Sequence, residues 1–214
     1  MASKGARTRT NLVHAAIARF AVNDYPRVSL TDIAADAGVS ATAIYRYFPD
    51  KEALFEAAVD ADAEALVSIA RAQLSTDVGP SLIDLLDLLS EGIAAAVVDH
   101  PLVGRVLAGD RTMPLRRVLQ IPSLVGLRAE IAALVEVLQQ QGLVRASLDP
   151  ATTAMALETV VISHITELAA SGTPPEAPYY ERWQAVVGMV EAALTPLTAC
   201  RDVGSALPRE RRGD

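Results

Sequence analysis

The chain of 214 residues is 51% hydrophobic, rich in alanine, leucine and valine, poor in aromatic residues, and carries a net charge of −7. This length buries a sizeable core as one large or two small domains, and the composition is that of a helical bundle, not of a β-sandwich. The single cysteine, Cys200, excludes an intrachain disulfide, and no uncharged stretch approaches the roughly eighteen apolar residues of a membrane span.

Helical periodicity recurs along the chain and strand-like alternation does not. Val13, Ala16, Ile17 and Phe20 form the stripe of a first helix, expected from about Thr8 to Val22. It ends at Asn23-Asp24, residues that tolerate a left-handed helix end. Ser29 is placed to cap a second helix, with Asp32 as the acid of a capping box and Leu30, Ile33, Ala34 and Ala37 turned inward. Gly38 supplies the positive φ of a tight turn, and Ser40 can cap a third helix. Ile44 and Phe48 anchor that helix, and Pro49 stops it. Asp50 opens a long helix to about Leu74, Gly79-Pro80 opens one over 81–98, and His100-Pro101 begins a short segment ending near Gly109. After a stretch broken by Pro114 and Pro122, a helix runs from about Ser123 to Gln141 and stops at Gly142. Asp149-Pro150 starts another that reaches Ser171-Gly172, and a last helix covers Tyr179 to about Leu197. The tail 201–214 is expected to be disordered. The fold class is all-α, with about nine helices.

The segment Ser29–Leu54 concentrates the chemistry. Residues 1–51 carry seven basic side chains (Lys4, Arg7, Arg9, Arg19, Arg27, Arg46, Lys51) against Asp24, Asp32, Asp36 and Asp50, a net +3 that leaves −10 on the remainder. This is a phosphate-seeking head on an acidic body. Opposite the Ile44/Phe48 anchor, Ala41, Thr42 and Tyr45 share one face. Small residues permit close approach to base edges, while Tyr45 reaches a phosphate or a thymine methyl. Arg46 and Tyr47 flank that face. Lys51 adds its charge to the free N–H groups of a helix start, and Ser29, Thr31 and Ser40 complete the expected set of DNA contacts.

Ala34-Ala-Asp-Ala-Gly-Val-Ser40, then Ile44-Tyr-Arg-Tyr-Phe-Pro-Asp-Lys-Glu-Ala-Leu54, with Leu12-Val-His-Ala-Ala-Ile-Ala-Arg-Phe-Ala21 and Tyr25 upstream, resemble the tetracycline-repressor (TetR) family of transcriptional regulators. The resemblance implies a three-helix DNA-binding head over residues 6–66, with its helix-turn-helix about 29–48, and a ligand-binding and dimerisation body over 67–200. Three positions depart from the family's habit. Asp24 stands where glycine is usual, Ala41 where Lys, Arg, Gln or Pro is common, and Ala43 where Thr or Ser is common. The start of the recognition helix is thus poor in hydrogen-bonding groups, and specificity leans on Thr42, Tyr45, Arg46 and DNA shape.

In the body, Trp183, Val186, Val187, Val190, Leu194 and Leu197 form one stripe, and the preceding helix is apolar nearly all round, which requires cover from two directions. The resemblance implies that these last two helices build a four-helix homodimer interface, here with Leu157, Val161, His164, Leu168, Trp183, Val187, Val190 and Leu194. It also implies an effector pocket among the helices between about Lys51 and Gln141. Arg105, Arg111 and His164 are its polar candidates, although the arginines also read as surface charges and His164 as a hydrogen-bonded core or interface histidine. An alanine- and leucine-rich lining suits an apolar or amphipathic molecule. There is no glycine-rich phosphate loop, no His-Glu-x-x-His and no Cys/His metal spacing, and His14, His100 and His164 are dispersed. No catalytic site, metal or cofactor is therefore expected. The start of the chain lacks the apolar core of a secretory signal. With these features, the resemblance implies a cytoplasmic homodimer that represses a palindromic double-stranded DNA operator and is released by a small effector, without a membrane partner. The alternative is a helical ligand-binding or scaffolding protein with a degenerate head.

Overall fold

A computed structural model describes residues 3–74, 92–93, 95–108, 114–171 and 177–196. These residues form eight α-helices and no strand: α1 Lys4–Val22, α2 Leu30–Asp36, α3 Lys51–Leu74, α4 Pro101–Leu107, α5 Leu115–Val118, α6 Pro122–Gln140, α7 Pro150–Ser171 and α8 Ala177–Leu194. Three short 3₁₀ turns, Tyr25–Arg27, Ile44–Arg46 and Val97–Asp99, lie between them. The helix expected over 81–98 falls mostly, and the tail 201–214 wholly, outside the described residues.

The local signals set the helix ends. Asp50 Oδ1 accepts from Ala53 N at 2.7 Å, and Asp149 Oδ1 accepts from Thr152 N at 2.8 Å, so both acids cap as expected. Gly38 at φ +71° and Gly142 at φ +73° end α2 and α6 in the left-handed conformation. There Val39 N and Leu143 N reach back to Ala34 O and Leu138 O. The first helix departs from expectation at both ends. It begins at Lys4, because Ser3 Oγ accepts from Ala6 N. Its close is extended rather than left-handed, with Asn23 at φ −121°, ψ 148°. Both the backbone N–H and the side-chain amide of Asn23 return to Arg19 O, so no left-handed residue is needed.

One hydrophobic cluster runs without a break from α1 through α3 and α4 to Ile165 of α7. Phe20, Tyr25 and Phe55 lock α1 to α3 through ring contacts of 4.9 to 5.7 Å. A second cluster joins Leu157 of α7 to Trp183, Val187 and Leu194 of α8. Helix α3 also supplies what two other helices lack. Both α4 and α6 start with proline, and their cap residues, His100 and Ile121, make no side-chain cap bond. Asp62 Oδ2 accepts from Val103 N at 3.0 Å, and Asp60 Oδ1 accepts from Ser123 N at 2.9 Å, so both caps come from α3. The other oxygen of Asp62 meets His100 Nδ1 at 2.8 Å.

Candidate nucleic-acid interface and ligand cavity

The segment after Gly38 is shorter and tighter than the expected third helix. Residues 41–43 form turns and Ile44–Arg46 a 3₁₀ turn, with Ala43 N bonded to Ser40 O and Arg46 N to Ala43 O. One α-type bond follows, Phe48 N to Ile44 O at 3.0 Å, and Pro49, which disfavours helical geometry at the residue before it, closes the segment. Tighter winding nearly eclipses residues three apart, which brings Thr42 and Tyr45 onto one line. Ser40 still caps the segment, its Oγ accepting from Ala43 N at 3.3 Å.

The anchoring is as the spacing predicts: Ile44 is fully buried and Phe48 nearly so. Thr31, Ser40, Ala41, Thr42, Tyr45 and Arg46 are exposed, Tyr45 at 58%. Arg46 has no ion-pair partner among the described residues. Three expected contacts also serve the head itself. Ser29 Oγ accepts from Thr31 N at 3.1 Å, Tyr47 is half-buried against the core, and Lys51 Nζ lies 4.4 Å from the Tyr25 ring and 3.4 Å from Pro26 O. Burial of Lys51 in this niche lowers the pKa of its ammonium group. Arg19 and Arg27 are likewise engaged, with Asp36 and Asp24. The longer α1 adds residues that the motif did not single out. Arg9 stacks 5.0 Å over the Phe48 ring, and a Cβ on Gly5 would stand 4.0 Å from Tyr47 Oη, so the exposed Lys4 and Arg7 lie on the helix end beside the recognition segment.

Deeper in the chain, α3, α4, α6 and α7 line a partly open cavity of about 140 Å³ whose exposed lining is wholly apolar among the described residues. Val59, Ala63, Val106, Ile121, Val135 and Ile162 are among its walls. Arg128 and Glu158 are its charged members, closed on each other by Nε–Oε2 and Nη2–Oε1 bonds of 2.7 and 3.0 Å, with Arg128 Nη2 also bonded to Leu119 O. The cavity reaches α7, beyond the expected limit near Gln141.

Two of the polar candidates, Arg105 and His164, are not among the residues that line this cavity. The Arg105 guanidinium donates to Phe20 O and Asn23 O at 3.0 Å each and stands 3.6 Å from Asp24 Oδ1. It thereby satisfies carbonyls at the end of α1, where a positive side chain meets the negative end of the helix dipole. His164 is buried between α7 and α8, stacked at 3.8 Å on Trp183 and hydrogen-bonded to the Tyr179 hydroxyl. Arg111 lies outside the described residues, as does the Leu168 side chain. The described residues of the expected dimer stripe face inward in the single chain. Leu157, His164, Trp183, Val187 and Leu194 are buried within the single chain, with Val161 and Val190 half-buried against the same seam. The period of this stripe marks a buried face, and the cover is intramolecular. The apolar side chains of α7 and α8 that do face outward include Met155, Val186 and Met189, the last 73% exposed.

A short helix and a tight turn presenting an exposed polar face on buried anchors form a helix-turn-helix segment at the end of an all-α body with an apolar cavity. Residues 12–58, about a fifth of the chain, match the family described as bacterial regulatory proteins, tetR family. Over 84 residues it is 34% identical to the nucleoid occlusion factor SlmA of Shewanella loihica, a match spanning 39% of this chain and 42% of that protein. A Mesorhizobium loti protein described as a TetR-family transcriptional regulator superposes with a TM-score of 0.67 at 24% identity, over 91% of this chain and all of the other. The regulator FadR of Bacillus subtilis, solved in complex with stearoyl-CoA, gives a TM-score of 0.63 at 16% identity, over 86% and 98% of the two chains. These likenesses establish the all-α fold over nearly the whole chain. No described helix is long and apolar enough to cross a membrane.

Proposed function

We propose that the chain is a homodimeric repressor that binds a palindromic operator through Ser40–Arg46 and is released by a small molecule held between α3, α4, α6 and α7. The observation that carries this reading is the exposed row of Thr42, Tyr45 and Arg46 on the buried anchors Ile44 and Phe48, inside the segment that matches the family. Met155, Val186 and Met189 are the residues we assign to the subunit contact, in place of the buried seam. A twofold dimer would set two recognition segments about 34–36 Å apart, one turn of DNA. FadR, a protein of this fold, was solved in complex with stearoyl-CoA, which supports a ligand role for the cavity here.

Helix α4 supports a route for release. Val103 and Val106 line the cavity, while Arg105 on the same helix holds the end of α1. A ligand that displaces α4 shifts the head, provided that it binds the two states with different affinity.

The test is an electrophoretic shift with the DNA upstream of the chain's own gene. Arg46→Ala is expected to weaken binding and lower the salt slope by about one unit while leaving the thermal midpoint unchanged. Lys51→Ala is expected to lower both, because Lys51 also packs on Tyr25. Unchanged affinity and slope in Arg46→Ala would refute the assigned contact, and no shift with any upstream fragment would favour the degenerate-head alternative.

A further inference from the structure

The cavity bears on the class of molecule it selects, an inference that rests on the effector role proposed above. We propose that it takes a compact, uncharged, apolar molecule of about the size of one aromatic ring, and that the Arg128–Glu158 pair excludes anionic ligands. Three observations lead there. The lining that a ligand would touch is entirely apolar among the described residues, so a polar or charged group would lose its water and gain no partner. The volume of about 140 Å³ is close to that of an engineered cavity of about 150 Å³ that stays dry and admits benzene. Finally, the one cation among the described wall residues, Arg128, is paired through Nε and Nη2 and shows no polar atom to the cavity. Both Glu158 oxygens are held by Arg128, whose Nη2 also serves Leu119 O, and the two side chains are only 19% and 8% exposed.

A ligand carboxylate therefore has to displace Glu158 from Arg128 and leave a buried carboxylate unpaired, which the apolar surroundings penalise. A neutral ring disturbs neither partner and replaces empty space by contact. The pair thus works as a charge filter, and its disruption should change the ligand class rather than abolish binding.

The experiment uses the full-length protein with toluene, ethylbenzene, benzoate, octanoate and a long-chain acyl thioester as probes. Binding is followed by calorimetry and thermal shift, and the same probes are added to the operator complex. Toluene or ethylbenzene is expected to bind and raise the melting temperature, with benzoate and octanoate at least tenfold weaker. In Glu158→Gln, which leaves Arg128 with a neutral partner, the ratio of benzoate to toluene affinity is expected to rise at least tenfold. Should Glu158→Gln fail to fold, the wild-type ranking decides alone, and Ala63→Leu, which fills the wall, should abolish toluene binding.

Benzoate, octanoate or the acyl thioester binding as tightly as the neutral rings would overturn the charge filter and leave the effector role intact. Neutral rings that bind without weakening the operator complex would uphold the filter and overturn the effector role. Binding of no probe at all would overturn the cavity as a ligand site, and the filter with it.

Discussion

Asp36 and Asp149 show how single carboxylates make this chain acid-sensitive. The Arg19 guanidinium hydrogen-bonds both oxygens of Asp36 and lowers its pKa from the ordinary 3.8, and the hydroxyl and N–H of Thr152 do the same for Asp149. Each binds a proton less readily folded than unfolded. The stability they add is therefore complete above the ordinary value and is lost as pH falls through the lower folded values. Urea titrations between pH 6 and pH 2 are expected to show stability declining at the acid end, and Asp36→Asn with Asp149→Asn to flatten that decline. An unaltered acid limb in the double variant would show that other carboxylates govern it. At the same scale, the head's charge reads differently from its count. Of seven basic side chains, Arg19 and Arg27 meet acids, Arg9 lies over Phe48 and Lys51 over Tyr25, which makes Lys4, Arg7 and Arg46 the ones best placed for phosphate.

At the level of elements, caps within a helix's own first or last turn were legible, and caps borrowed from another helix were not. Asp50, Asp149, Gly38 and Gly142 could be read because partner and cap lie within a few residues. The bonds of Asp62 to His100, Ser123 to Asp60 and Arg105 to Phe20 span 38, 63 and 85 positions, a distance at which periodicity carries no information. In the segment after Gly38, spacing located the anchors Ile44 and Phe48, but not the tight winding between them. Asp62→Ala should leave Val103 N buried without an acceptor and destabilise the fold by about 1–3 kcal/mol in chemical denaturation. A change within experimental error would mean that water takes over the cap. Arg105→Ala should lower stability modestly. It should also reduce the ability of a bound effector to release DNA, measured as the ratio of operator affinities with and without ligand. An unchanged ratio would separate α4 from the coupling route.

Over the whole molecule, the proposed assembly turns on the outward residues of α7 and α8. Helical periodicity identified Trp183, Val187 and Leu194 as covered, but it says nothing about whose side chains cover them. The cover proves to be α7 and the segment around Leu148. The subunit contact assigned here to Met155, Val186 and Met189 predicts that Met189→Glu shifts a micromolar dimer to monomer in sedimentation velocity and weakens operator binding, with the helical content unchanged. Wild-type protein sedimenting as a stable monomer at that concentration would remove the dimer from the proposal.

The caps lent by Asp60 and Asp62 have a consequence for engineering. The family match ends at residue 58, just short of both carboxylates, which makes that point an inviting place to splice the head onto another body. A cut there would hand α4 and α6 of the recipient whatever side chains the new helix carries at those two positions. A working transplant needs a junction past residue 62 or the two aspartates carried across. The border between head and body in this chain is thus set by where α3 stops lending its side chains, not by where the recognisable motif stops.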